Sequence, residues 1–291
     1  MSTTPPPSRN GIKMAIDTNK GNTLIETQVA DMLVKPLQAS SVILGAPGVK
    51  VENSSTPIKF PKLTGNTNAG FVGENELIPE SEDFDFGELT LMPTELKSVK
   101  AIVRVSNELI RMAKQSVSTV LQAKVVEDVR AVLDTALLTS DGEDDTITGI
   151  LHSGITSAPF STADPDTIMD GIAFMSGNEV TPTRIYMNGS DFFDMRKLKD
   201  GDGRYLLQAD VSSGARFSLH GIPVTVTNKL PAGKAIMGNM ADLVVVRDID
   251  PTISILTERY AEYDQTGIRV SARYDQGILR NESFLILDTA G

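Results

Sequence analysis

Apolar residues recur at spacings of three and four from Ser106 to Leu138, a stretch with neither Pro nor Gly. Leu109, Ile110, Ala113, Val117, Val120, Leu121, Val125, Val129, Val132, Leu133, Ala136 and Leu137 fall on one helical face and predict a long packed helix. Ser106 or Asn107 is placed to cap its start, and Glu108 to meet the positive end of the helix dipole. The turn-forming run Thr139-Ser140-Asp141-Gly142 ends it. At about 1.5 Å per residue, such a helix runs roughly 50 Å. A coiled coil is the competing reading. Against it, β-branched residues occupy both seam positions and the flanking charge pairs are missing.

Elsewhere the pattern alternates. Leu89 and Leu91, then Val99, Ala101, Val103 and Val105, read as a strand. Further strands are predicted at 184–187, 223–227, 235–237, 243–246, 253–256, 268–274 and 284–287, with shorter helices at 166–175 and 190–199. Helices interleaved with antiparallel pieces make the class α+β. There is no internal repeat. Residues 1–30 are polar, Pro- and Thr-rich near the start, and read as a disordered tail. From Val51 to Glu88 the chain is rich in Gly, Asn, Ser and Pro, with an acidic end. That is too long for an ordinary connection in a compact domain, where loops beyond about 15 residues are uncommon. Together with the strand after it, this stretch reads as a two-stranded arm awaiting a partner.

Charge and composition narrow the chemistry. The chain of 291 residues carries 27 Lys plus Arg against 38 Asp plus Glu, a formal charge of −11, and has no clustered cationic run for gripping nucleic acid. There is no Cys, which removes thiol catalysis, disulfides and thiolate metal sites. His152 and His220 stand far apart, with nothing marking a triad. No segment has the roughly 18 apolar residues of a membrane span, and the N-terminus lacks the apolar core of an export signal, so a soluble chain with no membrane partner is expected. The stretch "SDFFDMRKLKDGDGRYLL", Ser190 to Leu207, crowds four aspartates around two glycines and suggests a calcium loop. A calcium loop needs a bidentate Glu at its twelfth position, and counting from Asp200 that position is Val211. A glycine-rich turn is the better reading. Ser190 lies outside any G-x-S-x-G elbow, and "GAPG" at 45–48 is only a turn. No catalytic residue, metal ligand or cofactor site is assigned.

The layout as a whole resembles the major capsid proteins of tailed bacteriophages, with the Hong Kong 97-like fold shared with encapsulins. Three stretches carry the likeness: "DTIMDGIAFMSGNEVTPTRIYMNGSDFFDMRKLKDGDGRYLL", "LHGIPVTVTNKLPAGKAIMGNMADLVVVRDIDPTISI" and the closing "IRVSARYDQGILRNESFLIL". Their order and spacing are the signal. The resemblance implies an N-terminal arm at 1–30 and an extended β-hairpin loop at 51–92. It implies a peripheral domain at 31–50, 93–145 and 246–282 with a spine helix at 106–138, and an axial domain at 146–245 and 283–291.

The resemblance also implies a structural role. A capsid protein of this kind assembles into pentamers and hexamers of an icosahedral head around double-stranded DNA, held without sequence-specific binding. The acidic balance suits that role, because a basic wall would grip the packaged polymer. Partners implied are further copies of the chain, a separate scaffolding protein, a portal, and cement or decoration proteins. The place is the virion, assembled in the host cytoplasm. Only about 30 residues precede the expected fold, so a fused scaffolding region is not expected. Expected contacts between subunits are Phe60, Lys62, Phe71, Glu74, Glu76, Phe84 and Phe86 in the loop, and Asp200, Asp202 and Arg204 in the axial turn. The type member joins subunits through a Lys–Asn isopeptide helped by a Glu. Here Lys59 and Lys62 are available donors, but Ser271 or Ala272 stands where the helper belongs, so no cross-link is expected. An encapsulin-type compartment shell is the alternative, and an Asp-based metal-dependent hydrolase at the DGDG turn the distant one.

Overall fold

The computed structural model describes residues 41–64, 71–73, 85–92, 98–108, 116–143, 146–199, 202–203, 205, 217–248, 252–256 and 258–289. The strands among them are β1 (Lys50–Asn53), β2 (Ile58–Thr64), β3 (Asp85–Leu91), β4 (Val99–Ser106), β5 (Ser157–Pro159), β6 (Arg184–Met187), β7 (Ser218–Leu219), β8 (Ile222–Val226), β9 (Lys234–Gly238), β10 (Leu243–Arg247), β11 (Thr252–Leu256), β12 (Gln265–Ala272), β13 (Tyr274–Ile278) and β14 (Phe284–Asp288). The α-helices are α1 (Ser116–Thr139), α2 (Asp166–Gly177) and α3 (Gly189–Arg196).

Four sheets result, ordered β1-β10-β13, β11-β12-β4, β5-β14-β9-β6-β8-β7 and β2-β3. The six-stranded sheet explains why "RIYM", "KAIMG" and "FLILD" are apolar without a polar alternate. Tyr186, Ile236, Phe284 and Ile286 point to one core, which includes α1. Ile185, Met187, Met237, Leu285 and Leu287 point to the opposite core, under α2 and α3. A strand buried on both faces has no reason to alternate. β10 repeats the device, with Leu243 and Val245 facing α1 and Val244 and Val246 facing the root of the β2–β3 hairpin.

A helix begins where the sequence reading starts it: Asn107 and Glu108 are helical directly after Ser106, which is the last residue of β4, paired with Gln265. Asn107 is tied to the start of β12: its amide donates to Asp264 at 2.7 Å and its oxygen accepts from the Thr266 hydroxyl at 2.6 Å. Residues 109–115 lie outside the described residues, and α1 runs from Ser116 for 24 residues, about 36 Å at ~1.5 Å per residue. Its buried stripe is Val125, Val129, Leu133 and Leu137, while Val132, counted on that face from spacing, is 55% exposed. Two predicted strands also divide. Leu89–Leu91 and Val99–Val105 belong to different sheets, and the single strand expected at 268–274 is broken at Arg273 into β12 and β13.

Candidate interaction surfaces

The arm begins as an antiparallel hairpin with Ile58 opposite Leu91 and Thr64 opposite Asp85. Alternation gives it two faces. Ile58, Phe60 and Leu89, with buried Leu91 and Met92, pack on Val244, Val246 and Leu279. Lys59, Pro61, Glu88 and Thr90 are exposed on the other face. The body is cut to receive this root. A Cβ on Gly277 would stand 2.6 Å from a Leu89 methyl and 2.8 Å from one of Leu91. Met92 closes the hairpin in the left-handed region, at φ 58°, and its N–H donates to Asp275 Oδ2 at 2.7 Å. Lys62 Nζ donates to Asn281 Oδ1 at 2.8 Å, so its end is held by the chain's own body. A cleft of about 400 Å³ lies beside the root, lined by Lys62, Thr90, Met92, Thr148, Asp275 and Gln276 among others. Gln276 is buried there and its amide donates to Leu137 O at 2.6 Å and Thr148 O at 2.9 Å, joining the end of α1 to the turn beyond it.

The expected contact residues of the arm are therefore unlike one another. Phe60 is half-buried at the root, and Phe71 is fully exposed. Phe86 lies in β3 opposite Leu63. Glu74, Glu76 and Phe84 lie outside the described residues.

At the aspartate-rich stretch, α3 is capped by Asn188, whose side chain accepts from Ser190 N at 3.0 Å. Three of the four aspartates are described, and they separate by role. Asp191 is buried and accepts from Gly233 N at 2.7 Å, fastening α3 to the turn before β9. Asp194 pairs with Lys197 at 2.8 Å on the surface. Asp202 is exposed, followed by Gly203 at φ +79°, a conformation that favours glycine. Lys199 and Tyr205 close the turn as an antiparallel bridge, and the Lys199 ammonium lies 4.9 Å from the Tyr205 ring. Asp200, Gly201 and Arg204 lie outside the described residues. Among the described residues no group of three His, Asp or Glu side chains is placed to hold a metal ion, and no helix is long and apolar enough to cross a membrane. Both histidines are exposed. His152 Nδ1 lies 3.2 Å from Ser140 O, and His220 turns the chain between β7 and β8 at φ 49°.

One polar residue escaped the sequence reading. Asp134 sits 1% exposed on the buried side of α1, accepting from Ser41 Oγ at 2.5 Å and Val42 N at 3.1 Å. Burial pushes its carboxyl above the usual range, although the hydrogen bonds from Ser41 and Val42 and the nearby Arg130 pull the other way. Its sequence signal was an acid between two apolar stripe positions, Leu133 and Leu137.

Known proteins share this arrangement. A sequence profile of the phage capsid family matches residues 21–289. The major capsid protein of Klebsiella oxytoca phage phiKO2 is 26% identical over 298 residues, covering 94% of this chain and 66% of that protein. The major capsid protein of Enterobacteria phage HK97 is 25% identical over 246 residues, covering 79% of this chain and 62% of that one. The chain thus spans just under two thirds of the length of these relatives. Among solved structures, the capsid of an empty GTA particle superposes with a TM-score of 0.68 at 18% identity, over 84% of this chain and 88% of that one.

Proposed function

The chain belongs to the phage capsid family and has its Hong Kong 97-like fold, and from that premise we propose that it is the shell-forming subunit of a phage head. In this reading it assembles with copies of itself into pentamers and hexamers of a closed icosahedral shell around double-stranded DNA. The role is structural rather than enzymatic. The observation that carries it is the arm: a hairpin fastened to the body at its root by apolar packing and Gly277. Beyond that root, Phe71 is fully exposed. A chain gains nothing from ordering such a segment alone, because burial must offset about 1–2 kcal/mol of backbone entropy per residue. A neighbouring subunit supplies that burial.

On this proposal the loop (51–92) crosses a neighbour through Phe71, Glu74, Glu76, Phe84 and Phe86, while Phe60 and Lys62, also expected as contacts, are engaged by the chain's own body at the root. The axial domain (146–245 and 283–291) brings Asp200, Asp202 and Arg204 to a symmetry centre. The peripheral domain (31–50, 93–145 and 246–282) forms the shell floor, and residues 1–30 serve as an arm. A separate scaffolding protein, a portal and decoration proteins complete the head, which is assembled in the host cytoplasm and resides in the virion. No isopeptide is formed. Lys59 pairs with Glu88 and Lys62 with Asn281 of the same chain.

Negative-stain microscopy and sedimentation of the purified chain test the reading. Closed shells that enclose DNA support it. Small monomers at every concentration overturn it, and shells that enclose an enzyme instead assign the chain to a compartment. A ladder of bands on a denaturing gel would refute the absence of cross-links.

A further inference from the structure

The cleft of about 400 Å³ lies where three parts of the chain meet. The root of the arm contributes Lys62 and Thr90, the turn after α1 contributes Thr148 and Ser153, and β13 contributes Asp275 and Gln276. Its volume falls in the lower part of the roughly 300–1,000 Å³ range of small-ligand sites. Gln276 sets the chemistry of its floor. The residue is 6% exposed, and its amide nitrogen donates to Leu137 O and Thr148 O. Two carbonyls can face only the NH₂ end of the amide, so the orientation of the side chain is fixed. The oxygen therefore turns the other way, and among the described residues nothing donates to it. A buried acceptor left unpaired is costly, so a donor brought to the cleft finds a group that gains from it.

The rest of the lining says what kind of molecule carries that donor. Among the described residues Lys62 and Asp275 are the only charged ones in the lining, one of each sign. Both are engaged within the chain, Lys62 by Asn281 and Asp275 by the N–H groups of Met92 and Gln276. Such a wall favours neither an anion nor a cation. Thr90 and Thr148 offer hydroxyls, and the Ser153 hydroxyl, which donates to Gly149 O at 2.7 Å, meets a ligand as an acceptor. Leu89, Ile147 and Ile278 supply apolar wall between these groups. Hydroxyls on a carbon skeleton suit this mixture, because each is donor and acceptor at once and the C–H face between them is apolar. A bare hydrocarbon would leave Gln276 unpaired. We propose that the cleft is a binding site for a neutral polyhydroxylated molecule of mono- or disaccharide size, with one hydroxyl donating to Gln276 Oε1. Bound there, it joins the root of the arm to β13 and to the turn after α1. The site goes beyond the shell role and does not depend on it.

The test is titration calorimetry with saturation-transfer NMR on the full-length chain, using glucose and trehalose as probes. Saturable binding in the millimolar range is expected of a small neutral ligand in an open cleft. Thr90→Trp, at an exposed position on the rim, should keep the wild-type melting temperature without sugar and weaken binding about tenfold or more by filling the cleft. Gln276→Met should weaken it likewise. If that variant also melts early, Thr90→Trp and Ser153→Leu decide instead. No saturable binding of either sugar at roughly 100 mM, far above a millimolar constant, overturns the proposal. Binding that Thr90→Trp leaves unchanged overturns it too, because the sugar then sits elsewhere, as do crystals grown in glucose in which only ordered water meets Gln276 Oε1. Immobilised dextran separates the two sources of such a ligand, and either result upholds the site. Retention that free glucose displaces assigns a glycan chain, and binding of the free sugars without retention assigns a soluble saccharide.

Discussion

Asp134 is a charge held where a charge is costly. It anchors the turn at Ser41–Ala46 to α1 through Ser41 Oγ and Val42 N. Removing it by Asp134→Ala leaves those buried donors without an acceptor, and a loss of about 1–3 kcal/mol is expected in denaturant unfolding. The pH dependence has the opposite sign to that of a salt-bridged carboxylate. Its folded pKa is raised by burial, so between the unfolded and folded values the native state holds the proton more tightly, and this group favours folding more as pH falls. Wild type should therefore gain stability relative to Asp134→Asn on acidification from neutral pH. A difference that is flat or moves the other way refutes the sign. Gly238 is constrained from the other direction. A Cβ there would stand 2.2 Å from the fully buried Phe284 ring, so Gly238→Ala is expected to destabilise by about 1–3 kcal/mol in the same assay. The sequence hid both residues, because a single acid or glycine in an apolar run says nothing about what packs across from it.

At the scale of elements, the arm separates folding from assembly. Thr64 and Asp85 are directly opposed, so replacing residues 65–84 by Asn-Gly closes the hairpin with a two-residue turn. The shortened chain is expected to melt within a few degrees of wild type and to form no closed shells. Loss of folding would mean the segment belongs to the monomer's core. The turn after α3 obeys the same logic. Asp202 is exposed, so Asp202→Lys should leave melting unchanged and lower the yield of particles by sedimentation. The alternating pattern made the arm legible in outline, with its two strands and acidic end. Its anchor was not legible, since Gly277, Asp275 and Asn281 lie 183 to 219 residues further along the chain than the arm residues they meet.

The whole molecule is an acidic body with a basic face on the β11-β12-β4 sheet, made by exposed Lys100, Arg104 and Arg269 with the adjoining Arg259. Net charge of −11 repels phosphate, and a single face of four cations is small beside the roughly 6–10 phosphate contacts of tight DNA binders. Fluorescence anisotropy with duplex DNA at physiological salt should detect no stable complex with the unassembled chain. Sub-micromolar binding would refute a passive container. By itself, the sequence determined whatever depends on near neighbours in the chain: the helical periodicity of α1, the position and type of most strands, the acidic arm, and the failure of the DGDG stretch as a calcium loop. Backbone geometry and side-chain period act over a few residues, so a linear pattern records them. Only the tertiary structure decided which apolar strands lie between two cores, that the strands expected at 89–105 and 268–274 each divide in two, and that Val132 faces outward while Asp134 faces in. It also brought strands from distant parts of the chain into one sheet with a basic outer face. Those depend on contacts between residues tens to well over a hundred positions apart, set by which surfaces exclude water together. The "KDGDGRYLL" turn divides the same way: its spacing ruled out an ion site, and the fold alone left Asp202 exposed on the surface, where it is a candidate for contact with a neighbour.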